Sequence, residues 1–428
     1  MRILLASDHY PPFIGGAHHQ AQLLAEGMVA RGHEVTVVTP WHGGLPPVEE
    51  QDGVVVHRVK QLRTAVPALV RDRRQRHQPP FPDPVTIWGV RRVIGAARPD
   101  VINVHGWLAF SIAAALGRKR IPLLVSARDY GYFCANRTLV QKGAPCSGPA
   151  PLKCLSCAGE YYGVPKGWLT ALGVAICRPL LARKMTGLHS ISSYVNEVTR
   201  RFLLGAESSR RQRDYVEVTI PDFQAERSAE IDGSGKPEVA AKLAELPDEP
   251  FILFVGAFRK VKGLETLFAA YRCLSSPPPL VLMGTFERDS PREFPREAIV
   301  ITDVPHEAVM AAWDRAMFGV MPSLLPEPLG SAVTEAMTQG KPVIGARLGG
   351  HVDMIDETNG ILVPQGDDAA LAEAMEELIR DPARREAYGR ASAERARSFA
   401  APAVLPRFEQ AYREVIAAER ARTARPRA

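Results

Sequence analysis

Glu327 and Glu335 stand with seven residues between them in Pro322-Ser-Leu-Leu-Pro-Glu-Pro-Leu-Gly-Ser-Ala-Val-Thr-Glu-Ala-Met337. The spacing puts one carboxylate before a helix and the other inside it. Pro326 and Pro328 hold Glu327 in extended backbone, because proline fixes its own φ and pushes the preceding residue out of the helical region. A helix is expected from about Ser331 to Gln339, stopped by Gly340 and Pro342. The free N–H groups at such a helix start suit an anion such as a diphosphate. Two carboxylates around an anion pocket fit the handling of a sugar joined to a nucleoside diphosphate.

The elements that must position these groups read as two α/β series. In the first, Ile3–Ala6 is a short apolar strand, and Ala17, Ala21, Leu24 and Met28 mark one face of a helix from Ala17 to Arg31. Val35–Val38, Val101–Val104 and Leu123–Ser126 are almost wholly apolar, as expected of parallel strands covered on both faces. This domain is expected to span 1–222, followed by a polar, Gly/Pro-marked linker over 223–250. The second series, 251–402, starts at Phe251–Val255 and continues with strands at Leu280–Met283, Ile299–Ile301, Phe318–Met321 and Pro342–Ile344. Residues 403–428 are expected to form a helix packing back on the first domain, with a frayed tail.

The chain has 428 residues, more than one hydrophobic core usually supports. Its start has too short an apolar run for a secretory signal, and the stretch near Trp168–Ala182 is interrupted by Arg178 and Pro179. A cytoplasmic protein is expected. The net charge of +6 is unevenly spread: ten Lys and Arg residues between Arg58 and Arg98 face only Asp72 and Asp83. That stretch is either a solvated loop or a patch for an anionic membrane surface or phosphorylated acceptor. No nucleic-acid-binding motif accompanies it.

Four of the six cysteines, Cys134, Cys146, Cys154 and Cys157, fall in a Gly/Pro-rich segment. Cys154-Leu-Ser-Cys157 has metal-knuckle spacing, so the four could form a structural zinc site. Buried free thiols or an adventitious disulfide are the rival readings.

Three stretches together resemble the C-terminal domain of retaining glycosyltransferases of family 4: Phe251–Gly263, Pro322–Gly350 and Asn359-Gly-Ile-Leu-Val-Pro364. Tyr10-Pro-Pro-Phe-Ile-Gly-Gly-Ala17 and Pro99-Asp-Val-Ile-Asn-Val-His-Gly106 resemble that family's first domain. The resemblance implies the GT-B fold, two Rossmann-like doubly wound domains facing across a cleft. It implies Glu327 beside the donor sugar, Glu335 on the ribose hydroxyls and Lys262 on the diphosphate. Gly15 and Gly16 match glycines whose backbone approaches the phosphates. Arg259 would stand in for the family arginine, whose position holds Ala257 here. Gly284, Leu329, Gly330 and Ser331 are further expected donor contacts. No Asp-x-Asp motif occurs, and no metal is expected in catalysis.

His105, at a strand's carboxyl end, is a candidate to hydrogen-bond a sugar or acceptor hydroxyl. Arg128 stands where the family usually has histidine; an arginine keeps its charge and could meet a phosphate or anionic acceptor. The expected activity is transfer of a sugar from a nucleoside-diphosphate-sugar to a glycan or lipid-linked acceptor. A nucleotide-sugar epimerase, or a catalytically silent glycan- or lipid-binding scaffold, remains as an alternative.

Overall fold

The computed structural model describes residues 1–12, 16–65, 78–205, 215–223, 236–287 and 289–424. The chain divides into two compact units. The first comprises Met1–Gln141, Cys146–Phe223 and Val404–Ala428, and the second Lys142–Pro145 and Gln224–Ala403.

The first unit is built on an eight-stranded sheet. Its strands are β1 (Arg2–Ser7), β2 (Glu34–Pro40), β3 (Val48–Gln51), β4 (Val54–Val59), β5 (Val101–His105), β6 (Leu123–Ala127), β7 (Gly187–Ser190) and β8 (Val216–Thr219). Their order is β8-β7-β6-β5-β1-β2-β4-β3, parallel throughout except the edge pair β3–β4. Every residue of β5 and β6 is buried, which is why these strands lack a polar alternation. The major helices are α1 (Gly16–Ala30), α2 (Pro84–Ala97), α3 (Leu108–Leu116), α4 (Pro151–Tyr162), α5 (Val164–Lys184) and α6 (Ser193–Thr199).

In the second unit α7 (Pro237–Leu243) leads into β9 (Phe251–Val255), α8 (Leu264–Arg272), β10 (Leu280–Gly284), β11 (Ala298–Thr302), α9 (His306–Arg315) and β12 (Ala316–Met321). Then follow α10 (Ser331–Thr338), β13 (Val343–Ala346), α11 (His351–Met354), β14 (Gly360–Val363), α12 (Asp368–Arg380) and α13 (Pro382–Ala396). The sheet order is β11-β10-β9-β12-β13-β14, all parallel. Its core joins Phe254, Phe258, Phe268 and Phe318 to Leu371, Met375 and Leu378 of α12.

The last helix, α14 (Ala401–Ala424), returns to the first unit. Its Tyr412 is buried and accepts a hydrogen bond from Asn103 Nδ2 on β5 at 2.8 Å. Asn103 Oδ1 lies 2.7 Å from Ser126 Oγ on β6, which lies 2.9 Å from His189 Nδ1 on β7. Burial drives the His189 pKa down to about 3, so the ring is neutral. This polar chain crosses three buried strands and ties the terminal helix to them.

Three local outcomes differ from the sequence reading. The expected linker is not wholly irregular: α7 lies inside it, and Lys236 beside it pairs with Glu307 of α9 at 2.6 Å. The strands β3 and β4 were not expected. From Pro151 the Cys-bearing segment is the helix α4, packed on α5. Small residues allow that approach, and a Cβ on Gly167 would lie 2.1 Å from the Ala158 carbonyl oxygen.

Candidate active site

Glu327 lies in the loop between β12 and α10, and Lys262 ends a short 3-10 turn (Lys260–Lys262) between β9 and α8. Two loops of adjacent parallel strands therefore meet at the carboxyl edge of the sheet, the usual ligand edge of such folds. Lys262 Nζ is 2.6 Å from Glu327 Oε1, and Ser323 Oγ donates to the same oxygen at 2.9 Å. The loops are also joined through backbone, Leu324 N donating to Val261 O at 2.9 Å. Burial alone would raise the Glu327 pKa, but the Lys262 ammonium, with help from His351 and the Ser323 hydroxyl, holds it below the usual carboxylate value. Glu327 is thus a half-buried, ionised carboxylate.

Glycines permit this closeness. Gly263 has φ +76°, and a Cβ there would lie 1.9 Å from the Pro322 carbonyl oxygen. Gly349, at φ +63°, would strike the Glu327 backbone, while Gly350 N donates to Glu327 O at 2.8 Å. The Gly349-Gly350 pair shapes the Glu327 loop from beneath. Gly284 has a similar structural role, since a Cβ there would lie 1.8 Å from the Gly256 carbonyl oxygen.

Gly330, with φ +104°, caps α10, and Ser331 at its first turn is exposed. Leu329 is buried beside Gly350. Glu335 lies one turn on, with Oε1 4.0 Å from His306 Nδ1. Burial raises the Glu335 pKa, partly offset by His306 and Trp313. Arg259 Nε pairs with Asp289 at 3.1 Å, not with the Lys262–Glu327 pair. Ser323 and His351 also belong to the cluster. Ser323 lies four positions before Glu327 and His351 directly follows the glycine pair, so both were adjacent to flagged motifs.

In the first unit His105 ends β5 and is buried, with neither ring nitrogen hydrogen-bonded. Burial, then the charge of Arg128, keeps its pKa well below the usual histidine value. Arg128 Nη2 lies 2.5 Å from Asp222 Oδ2. Arg128 thus has an acidic partner, while its buried Nε has no hydrogen-bond partner. Asp8 was also missed. It accepts from Trp107 N and Leu108 N, at 2.8 and 2.7 Å, and so anchors α3 after His105. Gly15 lies outside the described residues; Gly16 opens α1.

Cys154 and Cys157 share α4, and Cys134 Sγ donates to Asn136 Oδ1 at 2.8 Å while Asn136 Nδ2 donates to Cys157 Sγ at 3.3 Å. Cys146 Sγ points to Gly148 O at 3.7 Å. Burial pushes the Cys134 thiol up to about 11. Among the described residues no three His, Cys, Asp or Glu side chains are grouped to hold a metal ion.

The basic stretch is divided. Arg71, Arg73, Arg74 and Arg76 lie outside the described residues. Arg58 is buried, bonded to Glu49 and to the carbonyls of Pro11 and Pro46, so it faces no membrane. No helix among the described residues is long and apolar enough to cross a membrane.

Two parallel-stranded α/β units of this kind have the architecture of the GT-B fold. Residues 15–211 match the glycosyl transferase 4-like domain, and residues 235–395 match glycosyl transferases group 1. The second unit is thus similar to the glycosyl transferases group 1 family, and most of the first to the glycosyl transferase 4-like domain. It is 25% identical to a glycogen synthase of Mycobacterium tuberculosis, covering 92% of this chain and 90% of that protein. It is 27% identical to an alpha-maltose-1-phosphate synthase of the same organism, over 56% of this chain and 70% of the relative. Among solved structures, the sucrose-phosphate synthase of Thermosynechococcus elongatus superposes with a TM-score of 0.69 at 21% identity, covering 98% of this chain and all of that one. Anabaena HepE, solved with UDP and glucose, gives 0.64 at 17% identity, with 97% and 100% coverage.

Proposed function

We infer that this glycosyltransferase moves a hexose from a nucleoside diphosphate to an acceptor hydroxyl with retention of anomeric configuration. The observation that carries this reading is the Lys262–Glu327 pair, 2.6 Å apart, at the carboxyl edge of the second sheet beside the start of α10. Breaking the bond between sugar and diphosphate puts negative charge on the leaving oxygen and positive charge on the anomeric carbon. Lys262 and the free N–H groups opening α10 are suited to the first charge. The ionised Glu327 is suited to hold the sugar hydroxyls and favour the second. Glu335, kept more readily protonated by burial, is suited to the ribose hydroxyls as donor or acceptor.

In the first unit the neutral ring of His105 can hydrogen-bond a sugar or acceptor hydroxyl without competing for a proton. The unmatched Nε of Arg128 can donate to an anionic group, with Asp222 holding the guanidinium in place. HepE, a structural neighbour solved with UDP-glucose, supports a nucleotide-sugar donor. The glucan-forming relatives support a hexose. Calorimetric titration of UDP, GDP, ADP and dTDP tests the donor site. One should bind wild type and lose about tenfold or more in affinity in Lys262→Ala. Binding indifferent to that substitution would remove the reading.

A further inference from the structure

The hairpin of α4 and α5 exposes an apolar ridge that no part of the proposed reaction uses. On α5, Trp168, Leu169, Leu172 and Ile176 are 49%, 57%, 48% and 72% exposed. Their spacing, i, i+1, i+4 and i+8, puts all four on one side of the helix. Val164 and Pro165 extend the same side, while Gly167, Ala171 and Val174 face inward. Leu152 and Tyr161 of α4 are also exposed, at 82% and 60%. The opposite faces of both helices already have partners: Ala158, Ala171 and Tyr162 pack together, and Gly173 sits against Pro80 and Phe81. The ridge is thus an outer surface of a well-packed hairpin. Contiguous apolar patches of this kind mark interaction surfaces.

The charges around it choose between partners. From Pro151 to Lys184 the cations are Lys153, Lys166, Arg178, Arg183 and Lys184, and Glu160 is the one acid. Helix α5 contains no acid at all. Lys166, over the Tyr162 ring at 5.2 Å, and Arg183 are exposed at the two ends of the α5 ridge. A second copy meeting this face symmetrically would bring like charges together. An anionic bilayer instead offers hydrocarbon to the ridge and negative headgroups to its ends. Trp168 and Tyr161 have the apolar body and polar tip that settle at the headgroup boundary. Arg178 and Pro179 interrupt the helix as a spanning segment, so it can only lie along the interface.

We propose that the α4–α5 hairpin docks this protein on an anionic lipid surface, with Trp168, Leu169, Leu172 and Ile176 entering the headgroup region. The surface lies wholly in the first unit and is separate from Lys262 and Glu327.

The test is flotation of the full-length protein with vesicles of phosphatidylcholine alone or mixed with phosphatidylglycerol, at low and high salt and without nucleotide. Wild type should float with the anionic vesicles, weaken in high salt, and bind neutral ones poorly. Trp168→Glu/Leu172→Glu should lower partition at least about tenfold, since each change swaps buried apolar area for a repelled charge. The milder Leu169→Ala/Ile176→Ala should give an intermediate loss with unchanged circular dichroism. Brominated lipid should quench wild-type tryptophan fluorescence, and Trp168→Phe should remove most of that quenching. Absence of vesicle binding by wild type overturns the proposal, as does equal binding to neutral and anionic vesicles. So does a dimer, seen by light scattering, that Trp168→Glu dissociates. None of these outcomes depends on donor chemistry.

Discussion

Lys262 and Glu327 are sixty-five positions apart in sequence, yet their charged groups lie 2.6 Å apart across two loops of one sheet. Each sets the charge of the other's surroundings: without the ammonium, burial would drive the carboxyl toward its neutral form. Removing either partner should therefore damage the site without dismantling the fold. Glu327→Gln and Lys262→Ala are each expected to lower kcat by ~10²–10³, the scale seen when a preorganised charge is lost. Circular dichroism should remain that of wild type. Steady-state kinetics on purified variants checks this, and near-normal turnover in either would contradict it.

The same pair predicts a stability dependence on acid. Glu327 binds its proton less tightly folded than unfolded, so in the acid range the unfolded chain holds more protons and stability rises with pH. Its contribution is complete above the ordinary glutamate value, about 4.3, and is lost as pH falls through the depressed folded value. In Lys262→Ala burial dominates, the folded value moves above the unfolded one, and this residue's contribution should instead fall as pH rises. Urea midpoints measured from pH 3 to 7 for both proteins should show the difference, and parallel curves would contradict it.

Gly263 positions Lys262 from the next residue. Its left-handed backbone and the 1.9 Å approach of a Cβ to the Pro322 carbonyl oxygen leave no room for a side chain. Gly263→Ala should destabilise by about 2 kcal/mol or more, from strain and displacement together. It should also lower turnover, because Pro322 opens the loop that carries Glu327. Chemical denaturation and kinetics on one preparation test both parts.

Tyr412 is the last link of the polar chain through Asn103, Ser126 and His189. Tyr412→Phe leaves the Asn103 amide donor buried without its partner and should cost about 1–3 kcal/mol. Thermal unfolding measures this, and a shift below one degree would show that α14 is held by its apolar contacts alone.

Protein purified without chelator should carry zinc well below one equivalent, and chelator should not shift its thermal midpoint. Cys134 and Cys157 share Asn136 as a hydrogen-bond partner, while Cys146 and Cys154 meet backbone at Gly148 O and Ala150 N. Stoichiometric zinc released by thiol modification would contradict the geometry.

What could be read from the sequence followed from burial. The central strands are apolar on both faces, so Val101–His105, Leu123–Ala127, Phe251–Val255 and Leu280–Gly284 stand out. Val54–Val59 did not, because His57 and Arg58 interrupt its pattern, and the buried Arg58 is matched by Glu49 and the carbonyls of Pro11 and Pro46. Ala158, Gly159 and Gly167 carried a further signal, small residues that let two helices close. Glu327, Glu335 and Lys262 could be picked out from local patterns. Their partners could not: Asp289 for Arg259 and Asp222 for Arg128 are 30 and 94 positions away, with no motif linking them.

The most direct test of the central claim is a donor-hydrolysis screen with uridine, guanosine, adenosine and thymidine diphosphate hexoses, following release of free sugar and nucleotide by chromatography. Wild type should cleave at least one donor slowly without acceptor, and Glu327→Gln and Lys262→Ala should not. Failure to cleave any of them, or cleavage undiminished in both variants, would contradict the assignment of this pair to a nucleotide-sugar site.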